Sequence, residues 1–280
     1  MSSRSRLLYA ALVVFALAVG VLVGSGPIRS LVSGATASDA EALKEAQASA
    51  EAAQEQVELG TQFADAVGPA AVRGWLANRS VAVVRLATVT DQQSATAAAT
   101  LGHAGAETGA TLTLTEDWIS EERSAFRDAL AKQITESIVE PPEGATSSEV
   151  LAAALAQALV PSIDFVTPDD EERAQTLWTL LVDGGLVKGS REGPSDIVIL
   201  VADRGDVSEL AAALRSHSNG TVVAFTSADG GDAGGVSTVT RGASAYGAWA
   251  VTAALIATLN GITGSYDAAD APRLIGDLLQ

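Results

Sequence analysis

The sequence predicts an α/β fold: an N-terminal transmembrane helix, a coiled-coil stalk helix, and then a Rossmann-like α/β domain with a largely parallel sheet. Three observations predict it. An uncharged, mostly apolar run occupies 7–24. A proline-free stretch, 38–67, is dominated by Ala, Glu and Gln, which are strong helix formers. Beyond residue 79, short β-branched runs alternate with helical periodicity, the pattern of strands joined by crossover helices. The expected organisation is a cytoplasmic N-terminus at 1–6, an anchor at 7–28, a stalk at 38–72, an extracytoplasmic α/β domain at 79–264 and a C-terminal tail at 265–280.

The apolar run extends for roughly 27 Å as a helix, close to the thickness of a hydrocarbon core. Arg4 and Arg6 precede it and only Arg29 follows before Asp39 and Glu41. The positive-inside bias therefore keeps the start in the cytoplasm and exports the rest. Ala35-Thr36-Ala37 has the small-x-small form of a cleavage site, but it lies farther from the apolar run than a signal peptidase site normally does. An uncleaved single-pass cell-membrane protein is the expectation. In the stalk, Leu43, Ala50 and Val57 recur every seven residues, with Ala46 and Ala53 between them. That seam of small side chains predicts self-association, hence a homodimer through the stalk, and Gly68-Pro69 is expected to punctuate or end the helix.

In the exported domain, 80–90 reads as a buried strand and 111–115 as another. Phe126, Leu130, Ile134 and Ile138 repeat every four residues, giving one buried face to a helix from Ser120. Pro141-Pro142 breaks it, and 148–160 resumes as an Ala and Leu helix. Thr167-Pro168-Asp169-Asp170-Glu171 opens the next helix with a cap, a proline where its missing donor costs nothing, and acids at the positive end of the dipole; Gly184-Gly185 stops it. The run 196–201 is apolar on both faces, as a central parallel strand is. Asp206 and Glu209 resemble a capping box, and a strand at 221–225 completes a right-handed crossover. The apolar stretch 245–259 is too short to span and predicts a core helix.

Composition excludes several functions. The 280 residues carry 34 acidic against 17 basic side chains, so nucleic acid is not an expected partner. With no Cys, disulfides, thiolate metal sites and thiol nucleophiles are all excluded. No Walker A sequence, dinucleotide glycine loop or Gly-x-Ser-x-Gly elbow is present, and His103 and His217 are the only imidazoles. Arg204-Gly205-Asp206 matches an adhesion tripeptide, but Asp206 serves better as a helix cap. Asp91, Asp203 and Asp229 fall near strand ends, where an α/β sheet gathers ligands and where Asp also commonly caps helices. The reading is of a non-enzymatic chain with no resident cofactor or metal.

The stretch Val14-Phe15-Ala16-Leu17-Ala18-Val19-Gly20-Val21-Leu22-Val23-Gly24-Ser25-Gly26-Pro27 resembles the opening of an actinobacterial envelope family, the copper transport protein B (MctB) family, whose SteB-like corynebacterial relatives are linked to cell separation. The likeness continues through the acidic coiled-coil helix, Ser80-Val81-Ala82-Val83-Val84-Arg85, Val236-Ser237-Thr238-Val239 and Gly264-Ser265-Tyr266; at 267–280 the sequence departs from the family's glycine-rich tail. The resemblance implies either a dimeric scaffold or regulator in cell separation and wall remodelling, or copper transport and homeostasis. Copper takes thiolate, thioether or imidazole ligands, and this chain offers no Cys, one Met and two His. The expectation is therefore a membrane-inserted binding protein with a membrane or envelope protein as partner.

Overall fold

The computed structural model describes residues 37–140, 144–162 and 166–278, which divide between two compact units, 1–60 and 61–280. The expected anchor at 7–28 lies outside the described residues, and no described helix is long and apolar enough to cross a membrane. Helix α1 spans Ala37–Val72. Its backbone covers the expected stalk, while the seam side chains of Leu43, Ala46, Ala50, Ala53 and Val57 lie outside the described residues.

In the second unit the chain forms β1 (Ser80–Leu86), α2 (Asp91–Ala98), β2 (Glu107–Leu114), α3 (Ser124–Thr135), α4 (Ser147–Leu159), α5 (Pro168–Asp183) and β3 (Val187–Arg191). There follow β4 (Ile197–Ala202), α6 (Ser208–His217), β5 (Gly220–Phe225), β6 (Ser237–Thr240), α7 (Ala245–Leu259), β7 (Ser265–Asp267) and α8 (Ala271–Leu278). The strands make one sheet in the order β3-β2-β1-β4-β5-β6-β7. Every neighbouring pair is parallel except β2 with the edge strand β3, which is antiparallel.

Side chains alternate across this sheet because successive residues of a strand point to opposite faces. Val81, Val83, Ile197, Ile199, Val222 and Ala224 pack into one layer with α2, α7, α8 and Ala64, Ala71 and Val72 of α1. Ala82, Val84, Val198, Leu200, Val223 and Phe225 pack into the other, against α3 to α6. Burial on both faces is why β4 is a continuous apolar run and β5 is one from Val222 to Phe225. Helix α7 is the expected core helix, with Ser244 capping its start by accepting from the Gly247 amide. Its Trp249, almost fully buried, donates from Nε1 to Asp65 Oδ1 at 2.8 Å.

Several boundaries differ from the sequence expectation. The Gly68-Pro69 pair does not end α1. A Cβ on Gly68 would sit 2.4 Å from the Trp249 ring, so the glycine serves close packing of α1 on α7 rather than chain reversal. The first strand stops at Leu86 because Thr90 instead caps α2, in a reciprocal box with Gln93. The second begins at Glu107, four residues before the expected start. The helix expected from Ser120 begins at Ser124, and Phe126 stays partly exposed with the Arg123 guanidinium 4.4 Å above its ring. Leu130, Ile134 and Ile138 do form the buried face. Residues 265–278 supply β7 and α8 to the sheet and its core.

Candidate functional site

The site follows from how the chain leaves two adjacent central strands. From β1 it passes through α2, whose Ala97 joins the α7 layer; from β4 it passes through α6, whose Leu210, Ala211 and Leu214 join the opposite layer. Strands β1 and β4 are neighbours, so their carboxyl ends diverge onto opposite faces. In an open α/β sheet that topological switch point leaves a crevice. Here it is a cavity of about 330 Å³ whose walls include Leu86, Trp118, Ile119, Arg127, Ser148, Ala152, Asp206, Val207, Glu209 and Leu210.

The walls differ in chemistry. On the β2 side, the loop after the strand brings Trp118 and Ile119, and α3 brings Arg127. Arg127 Nη1 donates to the carbonyl of Asp117 at 2.9 Å and to that of Ser120, which fixes the guanidinium against its own loop. On the β4 side the loop into α6 brings Asp206 and Glu209. Asp206 Oδ1 accepts from the Ser208 amide at 2.9 Å, and its contacts with Ser208, side chain first and then backbone, hold its carboxyl below the usual range. The expected reciprocal box between Asp206 and Glu209 does not form: α6 starts from Val207 without a side-chain cap. Val207 is instead tied by its amide to the Asp232 carbonyl at 2.9 Å, which braces this loop against the glycine-rich segment after β5. Gly231 lies so close to the Gly205 carbonyl that a Cβ there would be 1.8 Å from its oxygen. A second cavity of about 490 Å³, lined by Glu140, Glu149, Ser216 and His217, shares Glu209 with the crevice.

The three strand-end acids are placed separately. Asp91 opens α2, is largely exposed and pairs with Arg85. Asp203 follows β4, where its Oδ1 accepts from the Thr226 hydroxyl at 2.9 Å and its carbonyl accepts from the Ser227 hydroxyl at 2.7 Å. Asp229 is exposed in the loop after β5. Among the described residues no group of three or more His, Asp or Glu is placed to hold one metal ion.

A family model described as "Copper transport outer membrane protein, MctB" matches residues 1–272. The chain belongs to the MctB family. No curated protein matches it. The family's copper directs attention to the imidazoles. His103 is exposed in a short 3-10 turn beside the α7 layer, where its ring stacks on Trp249 at 5.7 Å between centroids. His217 ends α6 in the opposite layer, and burial pushes its pKa down. The sheet separates the two rings, so they cannot share an ion within one chain.

The crevice residues Arg127 and Trp118 were not legible from motif or spacing. They lie between β2 and β3 in sequence and gain meaning only once β1 is known to sit between β2 and β4. Asp206 and Glu209 carried a signal, but one that pointed to helix capping.

Proposed function

We propose that this chain acts in copper handling at the cell envelope without carrying the metal on soft ligands of its own, its α/β domain serving as a non-enzymatic recognition module. The observation behind this reading is the placement of the two imidazoles on opposite layers, in a chain with no Cys and a single Met. Copper held by thiolate, thioether or imidazole needs several such groups converging, so the metal must meet its ligands on a partner or a small chelator. In this reading 7–28 anchors the chain once in the membrane with its start in the cytoplasm, and α1, paired with a second copy along Leu43, Ala46, Ala50, Ala53 and Val57, holds the domain away from the bilayer. The shortage of copper ligands also favours a second reading, a scaffold or regulator in cell separation and wall remodelling.

A deletion strain separates the two. Copper hypersensitivity with copper accumulation, rescued equally by the full chain and by a chain carrying His103→Gln and His217→Gln, is the expected result. Failure of the double variant to rescue, with normal protein levels, would overturn the claim that the chain's own imidazoles are dispensable. Septated, unseparated cells at ordinary copper, with normal copper tolerance, would replace the copper role by the division role.

A further inference from the structure

We propose that the crevice between the carboxyl ends of β1 and β4 binds a small zwitterion, a free amino acid or short peptide with an apolar side chain. This rests on reading the α/β domain as a recognition module and names what it recognises. Strand order puts the cationic and anionic walls on opposite sides of the crevice: Arg127 comes from the β2–α3 connection, Asp206 and Glu209 from the β4–α6 connection, and β1 and β4 run between them.

Arg127 is prepared for a carboxylate. Its Nη1 is held by the Asp117 and Ser120 carbonyls, while among the described residues nothing accepts from Nε or Nη2. Those two parallel donors match the two oxygens of a carboxylate, and a guanidinium already fixed loses little freedom on binding it.

The other wall is prepared for an ammonium. Glu209 makes no ion pair or hydrogen bond among the described residues, and Asp206 beside it is engaged by Ser208 alone. The same lining includes Leu86, Trp118, Ala152 and Leu210, an apolar surface that a side chain can cover. A cavity of about 330 Å³ is the size of a small-ligand site. A simple anion would meet two carboxylates here, and a simple cation would leave Arg127 unpaired. A molecule carrying both charges about an apolar group satisfies every wall.

The test is calorimetric titration of the detergent-solubilised full chain with alanyl-phenylalanine, its N-acetylated form and its C-terminal amide. The free dipeptide binds saturably, and each cap weakens binding about tenfold or more, the loss expected for a charge-assisted pair. Glu209→Gln weakens the free dipeptide but not the N-acetylated form; Arg127→Lys, which keeps charge but loses the fork, weakens the free dipeptide but not the amide. Equal binding of capped and free forms, or indifference to Glu209→Gln in a chain of unchanged helix content, overturns the proposal. So does the absence of any binding by the free dipeptide, and the strain test of copper tolerance then decides the wider reading separately.

Discussion

The two edges of the central sheet are built from the same strands and finished in opposite ways. At the amino edge, β1 and β4 are sealed to each other and to their neighbours: the Ser80 amide donates to Asp196 Oδ2 at 2.8 Å, the Asp196 amide returns a bond to the Ser80 carbonyl, and Asn219 donates to the Asp196 carbonyl. Beside them Arg191, only 2% exposed, donates from Nε to the Ala158 carbonyl and from both terminal nitrogens to Glu171. Gly109 allows this closure, since a Cβ there would fall 2.2 Å from Ser80 Oγ. At the carboxyl edge the same two strands part, and Arg127 and Glu209 face a cavity with donors and acceptors that the described residues leave unused. The difference teaches where to look for function: at the amino edge polar groups pair within the fold, Ser195 Oγ being the buried exception among the described residues, while at the carboxyl edge Arg127 Nε and Nη2 and the exposed Glu209 carboxylate stay open to water or a ligand.

The comparison can be broken or sharpened by mutation. The largest effect falls on the amino edge. Arg191→Met leaves the Ala158 carbonyl without its donor and Glu171 without its partner, and is expected to cost about 2–3 kcal/mol in denaturant unfolding, less than a fully buried pair because Glu171 is 40% exposed. Glu209→Gln at the carboxyl edge should change stability by no more than about 0.5 kcal/mol. Equal costs would erase the distinction.

A smaller effect comes from the part of the carboxyl edge that is closed. Burial alone would raise the Asp267 pKa, but the Arg241 hydrogen bond, the Ala269 amide, the Thr240 hydroxyl and the Arg241 charge together lower it to about 2. A depressed carboxylate contributes stability above its ordinary pKa of 3.8 and loses it as pH falls towards 2. That contribution is about 1 kcal/mol, because the Arg241 side chain is half exposed and screened by solvent. Asp267→Asn should remove this component, so that stability between pH 4 and pH 2 declines less steeply in the variant than in the parent chain.

What the sequence made legible was set by local rules. Thr167, Pro168 and the acids after them announced the start of α5, where the structure also closes a reciprocal box between Thr167 and Asp170. The unbroken apolar run of β4 required helices on both faces, and both layers are present. Edge elements were hidden: β3 reads Val-Lys-Gly-Ser-Arg with no alternation, and β7 has three residues, so each becomes a strand only by pairing with a neighbour. The path of α1 through Gly68-Pro69 was hidden for a related reason, since the glycine answers to Trp249, distant in sequence. At the site, the acids near strand ends were visible, yet Asp91 and Asp203 engage their own neighbours. Arg127, with only Nη1 committed, sits on a helix with nothing in its spacing to mark it.

The most direct test of the account is amide hydrogen exchange along the full chain, with and without saturating alanyl-phenylalanine. Slowed exchange confined to 117–127 and 206–210, with 79–81 and 191–197 unchanged, is the predicted result. Protection at the amino edge instead, or at neither edge, would contradict the assignment of recognition to the switch-point crevice.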